Sequence, residues 1–367
     1  MRAERAGRWG KLGGLAVAAG LVVAGAWGET SRSAQAAPLD VHVVVVTTFE
    51  LGQDSGDMPG EFQHWVEQYP LEQTLPAPGT EHGVLRYNAK DHVLGLVSGE
   101  GPSHMAAAIT ALALDPRFDL RHAYFVLAGI AGVNPNKGSV GSAAWALHVV
   151  NGGAAHLIDS REIPSDWPDG FTPLQGHVPD EQPRPPLHSI AGDMAYTLRP
   201  SLVRWAYEKT RHIALPDNEK FQAHRRAYQS FPEALKPPHV MMGDTISSET
   251  YWLGARMNQW AERWVAYWTD HQGEMVTTAE EDIALCQALA LQARAGRVDN
   301  QRLLVLRTTS NFDMPPSGVA PETMLANAAH EESLPGLYAS TSAAYQVASP
   351  IVRELATHWG RYEGQVP

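Results

Sequence analysis

Asn311 and Asp313 stand two residues apart near the end of VLRTTSNFDMPPSG, residues 305–318, where an apolar run meets Arg307 and a cluster of small polar residues. Residues i and i+2 of an extended chain share a face, so an amide and a carboxyl can address one cleft there. The amide suits hydrogen bonding and the carboxyl suits proton transfer. Other stretches of the same kind recur along the chain. Ser98-Gly99-Glu100-Gly101-Pro102-Ser103-His104 leads into Met105-Ala106-Ala107-Ala108. Its glycines allow close backbone approach, and the helix start offers free N–H groups to a ligand, although a tight strand-to-helix turn explains the same residues. Leu127-Ala128-Gly129-Ile130-Ala131-Gly132, Met242-Gly243-Asp244-Thr245 and Thr277-Thr278-Ala279-Glu280-Glu281-Asp282 complete the set. Acids in a first helical turn are favoured by the helix dipole alone, so Glu280 and Asp282 carry less weight than their charge suggests.

Such residues need strands to deliver them. Near-continuous apolar or β-branched runs occur at Val41–Val46, His92–Val97, Ala123–Ala128, Ala143–Val150, His239–Met241 and Arg302–Thr308. Helical patterns fall at Met105–Leu114, Ala279–Ala295 and Ala339–His358. The alternation predicts an α/β fold with one central sheet covered by helices, and ligands of such sheets collect at the carboxyl ends of strands. Residues 160–190 are proline-rich and predict a long loop or insertion, and 199–229 predict one or two surface helices. Trp260, Trp264 and Trp268 recur at helical spacing. They form a packing stripe against the core or a neighbouring subunit, which leaves a homo-oligomer open, or else an aromatic wall for a ligand.

Composition narrows the classes. With 367 residues and 44% hydrophobic content the chain can bury a large core. A net charge of −12 argues against a nucleic-acid partner. Basic residues precede the apolar run Leu12–Trp27, and Ala34-Gln35-Ala36 follows it. This reads as a secretory leader over residues 1–36 cleaved after Ala36, with a retained anchor as the alternative. The expected mature chain, 37–367, is a single exported domain, periplasmic or extracellular, with no later segment apolar enough to span a membrane. Cys286, the single cysteine, sits in an apolar helical run and is expected in the core. The 16 histidines show no metal-ligand spacing, so no metal is expected, and no nucleophile elbow is present. His104, beside the glycine turn, is the histidine placed nearest to chemistry.

Taken in order, these stretches resemble the purine nucleoside permease family, itself similar to the nucleoside phosphorylase and nucleosidase superfamily. The matching pieces are Val44–Glu50, Ser98–Ala107, Ala128–Val133, Met242–Thr245, Glu280–Asp282 and Leu306–Asp313. The resemblance implies a nucleoside phosphorylase-like central mixed sheet, partly closed into a barrel and surrounded by helices, with residues 160–235 as a family-specific insertion. It implies a pocket for a purine nucleoside. Glu281 falls where the superfamily's ribose-binding glutamate lies, Gly101 and Ser103 match the phosphate turn, and Gly129 to Gly132 would line the base pocket. Ser310 and Asn311 lie where nucleosidases carry Ser-Asp. The departure at Asn311 leaves either Asp313 as the acid or a weaker assistance to the leaving base. Glu50 falls near the carboxylates that activate water, a role Asp54 could share, and Phe49 or Phe312 could stack on the purine. The loop Glu50–Asp57 has acids and no arginine, which disfavours phosphate as co-substrate. Glu280 stands where methionine is usual.

Two functions follow as expectations. One is cleavage of the N-glycosidic bond of purine nucleosides, by water or by phosphate, with no other cofactor. The other is a nucleoside-binding protein that assists transmembrane transport without catalysis.

Overall fold

Val43–Thr47 forms a strand buried along its whole length, as a β-branched run covered on both faces should be. It lies within a large mixed sheet in the computed structural model, which describes residues 37–185, 193–328 and 336–367. The expected leader and its cleavage site lie outside the described residues.

In chain order the elements begin with β1 (Leu39–Asp40), β2 (Val43–Thr47), α1 (Gln63–Gln68), β3 (Gln73–Pro76), β4 (Val84–Asn88), β5 (Val93–Val97) and α2 (Pro102–Leu114). Then come β6 (Phe118–Asp119), β7 (Tyr124–Val133), β8 (Ala143–Trp145), β9 (His148–Asn151), β10 (Ala155–Leu157), β11 (Phe171–Pro173) and β12 (Ala195–Thr197). Helices α3 (Pro200–Thr210) and α4 (Glu219–Arg226) precede β13 (Val240–Met242), β14 (Asp244–Ser247), α5 (Ala255–Trp268) and β15 (Met275–Ala279). The chain ends with α6 (Asp282–Arg294), β16 (Leu303–Phe312), α7 (Pro321–Ala328), α8 (Leu337–Thr357) and α9 (Trp359–Tyr362).

The long strands β7 and β16 run parallel, from Leu303 opposite Phe125 to Phe312 opposite Val133. On its other edge β7 holds β2 through its first half and β15, antiparallel, at its end. β16 also pairs β8, and β8 pairs β13. β13 passes through Gly243 into β14, which pairs β15. The circuit β7–β16–β8–β13/β14–β15 therefore closes on itself, giving the partly barrel-like sheet expected. Gly243 permits the change of partner: a Cβ there would lie 2.6 Å from Val276. From β2 the sheet extends through β5 and β4 to β3, and from β14 through β9 to β12. Helix α8 packs on β7 and β16, and α2 packs on α6.

The run Ala143–Val150 is two strands rather than one. It breaks between β8 and β9 because Asp244 Oδ1 accepts from the Leu147 and His148 N–H groups at 3.1 and 2.7 Å, and the two halves pair different partners. The tryptophan stripe of α5 is buried with Val150, Ile246 and Met275, and Trp260 stacks on Phe171 at 4.2 Å, so it packs the core. Cys286 is buried on α6. In the 160–235 segment, α3 is more than a surface helix, since Leu202, Val203 and Ala206 join the main core.

Candidate functional site

The ends of β2, β7, β15 and β16 meet around an open cleft. Thr48 and Phe49 enter it from β2, Ile130 to Gly132 from β7, Thr278 to Glu281 from β15, and Arg307, Ser310 and Asn311 from β16.

Its floor is an ion network. Arg307 is only 1% exposed. Its Nη2 donates to Glu281 Oε2 at 2.7 Å, its Nε to Asp282 Oδ1 at 2.8 Å and its Nη1 to the Ile130 carbonyl at 2.9 Å. Burial works against the arginine's charge, but Asp282, Glu281 and Glu61 outweigh it and raise its pKa. Glu61 lies behind the floor. It accepts from the Thr48 N–H at 2.6 Å, the Thr48 hydroxyl at 2.9 Å and the Ile130 N–H at 2.6 Å. Burial pushes Glu61 up to about 7, opposed by Arg307 and the backbone donors. Asp282 is also raised, first by burial. Three acids around one cation in a dry site cannot all ionise freely, and the upward shifts of Glu61 and Asp282 express that. Gly129 makes room, since a Cβ there would sit 2.8 Å from both Arg307 Nη1 and Glu61 Oε1.

One wall of the cleft is built by a bulge. Pairing of β16 with β7 shifts between Thr309 and Asn311, leaving Ser310 as the extra residue. Ser310 Oγ donates to Asn311 Oδ1 at 2.9 Å, and Asn311 Nδ2 donates to the Tyr251 hydroxyl at 2.9 Å. Asn311 and Asp313 both line a small annex with Ile246, Tyr251, Trp252 and Thr278. Asp313 Oδ1 accepts from Thr278 Oγ1 at 2.8 Å, while the buried Oδ2 has no hydrogen-bond partner among the described residues. Burial pushes this carboxyl up to about 8, against a small opposing pull from Thr278.

A model of the purine nucleoside permease family matches residues 40–367. The chain belongs to this family. A protein of Schizosaccharomyces pombe named a probable purine nucleoside permease is 29% identical over 278 residues, covering 74% of this chain and 78% of that one. A purine nucleoside permease of Candida albicans is 25% identical over 320 residues, covering 86% and 75% respectively. Among solved structures, the 5′-methylthioadenosine/S-adenosylhomocysteine nucleosidase of Neisseria meningitidis, in complex with methylthio-immucillin-A, superposes with a TM-score of 0.43 at 13% identity over 84% of this chain and 99% of that one. The Streptococcus pneumoniae enzyme of the same name gives 0.46 at 14% identity over 86% and 99%. The span matched to the purine nucleoside permease family includes the whole cleft, from Thr48 to Asp313.

In this purine nucleoside permease family member, the structure brings together Glu281, Gly132, Ser310, Asn311 and Asp313 around the cleft and its annex. Gly101 approaches at φ +85° and donates its N–H to Glu281 Oε1 at 2.9 Å, so the turn serves a carboxylate. Ser103 is exposed in the first turn of α2. His104 is exposed as well, with Nδ1 at 2.8 Å from the Glu100 carbonyl.

Three expectations need correction. Phe312 turns from the cleft into the core, 4.0 Å from the Tyr228 ring and 5.4 Å from His224. The period of an extended strand requires this once 311 and 313 face the cleft. Phe49 is the aromatic that lines it. Glu50 is held by its own loop: one carboxylate oxygen accepts from the Leu51 and Gly60 N–H groups, the other from Phe62 and Gln63 at 2.7 and 2.6 Å. Asp54 takes both ends of the Arg86 fork at 2.6 Å each. The acid buried behind Thr48 is Glu61, which sequence reading missed because no motif marks it; only folding sets it against Thr48 and Arg307.

Proposed function

We propose that the protein binds purine nucleosides in this cleft and cleaves their N-glycosidic bond with water. The observation that carries the reading is Asp313, a buried carboxyl held protonated in the cleft annex with one oxygen unpartnered. It donates its proton to the departing purine, while Asn311 hydrogen-bonds the base edge. Each Glu281 oxygen accepts one protein hydrogen bond, from Gly101 or from Arg307. A carboxylate oxygen has two lone pairs, so Glu281 keeps acceptor capacity for the two ribose hydroxyls and favours the cationic sugar of the transition state. Thr48 lines the cleft, and its hydroxyl donates to Glu61. Water attacking the anomeric carbon passes its proton to Thr48 Oγ1 as Thr48 passes its own to Glu61.

Water is favoured over phosphate because Arg307 is already paired with two acids, and the Gly101 N–H that would meet an anion is held by Glu281. Glu100 and Glu280 add further negative charge to the cleft. A second reading is a nucleoside-binding protein that assists transport without catalysis. The names of its relatives favour it, although no helix among the described residues is long and apolar enough to cross a membrane. With the basic and apolar N-terminal segment, we place either activity in the cell envelope.

The test is incubation of purified protein with inosine, adenosine and guanosine, with and without phosphate, following free base. Release without phosphate supports hydrolysis. Release only with phosphate rejects it, and tight binding with no release establishes the second reading.

A further inference from the structure

Asp313 is placed where a ligand does not reach it directly. The residue is 2% exposed, and its buried Oδ2 has no hydrogen-bond partner among the described residues. Asp313 lines the annex, whereas Asn311 lines both the annex and the open cleft. A ligand seated in the cleft meets Oδ2 only after something between them moves. Tyr251 also lines both spaces, and its hydroxyl lies 2.9 Å from Asn311 Nδ2. This contact joins the loop after β14 to the end of β16 across the boundary between cleft and annex.

The other walls of the annex are held. Ile246 is buried with α5, Trp252 meets the Trp260 ring edge-on at 6.1 Å, and Thr278 is bonded to Asp313 Oδ1. Tyr251 differs, being 57% exposed. Its loop is pinned at both ends. The Ser248 N–H donates to the Ala279 carbonyl at 3.0 Å, and the Gly254 N–H donates to the Asp313 carbonyl at 3.0 Å. Between these pins Glu249, Thr250 and Tyr251 are all exposed. The phenol can therefore swing by side-chain rotation while the ends of the loop stay in place. A hydroxyl both donates and accepts, so its contact with Asn311 holds with either end of the amide facing it. On leaving, the phenol gives up one hydrogen bond, which water at the exposed loop replaces.

We propose that Tyr251 is the gate between the cleft and Asp313, and that the edge of a purine base opens it by taking the phenol's place on Asn311. The proposal rests on the reading of the cleft as a nucleoside site. With the cleft empty, the phenol satisfies Asn311 and covers the unpartnered carboxyl oxygen. An entering base gives Asn311 the hydrogen bond the phenol gave and comes to lie beside Asp313. Tyr251 thereby determines specificity. A ring without a hydrogen-bonding edge does not replace the phenol, because it would leave the Asn311 amide unpaired.

The experiment titrates the full chain with hypoxanthine and with adenine by calorimetry, since free bases have no glycosidic bond to lose. Tyr251→Phe keeps the ring and removes the competitor for Asn311. Base affinity should rise by about 2- to 10-fold, the worth of one neutral hydrogen bond. A merely structural contact would not yield a gain. In an Asn311→Ala background the same substitution should change nothing, because the shared partner is gone. Unchanged or weaker binding by Tyr251→Phe would overturn the gate, the hydroxyl then standing apart from the base or belonging to its site. A gain that persists without Asn311 would overturn it as well, by placing the competition elsewhere. Wild type that binds neither inosine nor a free base would reject the nucleoside reading itself and the gate with it. With wild-type binding intact, the other two results reject the gate alone.

Discussion

Thr278 donates its hydroxyl proton to one oxygen of Asp313 at 2.8 Å, and the other, buried oxygen has no hydrogen-bond partner among the described residues. One hydrogen bond does not offset the desolvation of a buried carboxylate, so the group keeps its proton to about pH 8. Asp313→Asn preserves size and hydrogen bonding but cannot protonate a leaving base. We expect kcat for base release to fall by about 10²–10⁴, and the wild-type rate to decline as pH rises through about 8. A variant of unchanged rate, measured as free base at several pH values, would remove Asp313 from the chemistry.

The same carboxyl affects stability. An unfolded aspartate titrates near 3.9. Between that value and about 8 the folded protein holds a proton that the unfolded chain has released. Its contribution to folding is therefore fully present below about pH 4 and is lost progressively as pH rises to about 8. Urea unfolding across that range should show a flatter pH dependence for Asp313→Asn than for wild type.

Gly132 opens the space that Asp313 occupies. A Cβ at this position would lie 2.2 Å from Asp313 Oδ1 and 2.4 Å from Thr278 Oγ1. Gly132→Ala should displace the acid and its donor together, costing about 1–3 kcal/mol of stability by overpacking. Activity should fall further than Tm suggests. Thermal unfolding and base release on the same sample separate the two effects.

Glu281→Gln replaces the charged acceptor that Gly101 and Arg307 hold in place. Hydrogen bonds to charged groups contribute about 1.5–3 kcal/mol, so nucleoside affinity should drop roughly 10- to 100-fold. Free purine bases, which lack ribose, should bind almost as before. Calorimetry with a nucleoside and its base tests the difference, and an equal loss for both would move Glu281 away from the ribose.

Phe312 and Phe49 make a paired control. Phe312→Ala empties a fully buried position beside Tyr228 and should cost about 3–5 kcal/mol of stability. Phe49→Ala, at the cleft, should cost little stability and weaken purine binding. A reversal of these outcomes, read by denaturant unfolding and ligand titration, would show that the wrong ring has been given to the ligand.

Much of this was legible in the sequence. Continuous β-branched runs, glycines at strand ends and a 3.6-residue apolar period are local signals. They located β2, β5, β7, β16, α2, α6 and α8 and set Glu281, Asn311 and Asp313 near strand ends. Local periodicity also allowed Asn311 and Asp313 one face, which by the same rule excludes Phe312. What only the tertiary structure decided is which charges are already committed. Glu50 and Asp54 look like free acids in the chain, yet one closes its own loop and the other grips Arg86. Glu61 carries no signature, yet folding buries it against Thr48, Ile130 and Arg307. The reason is that propensity and periodicity act between residues close in sequence, whereas desolvation and pairing of charge depend on neighbours supplied by distant strands.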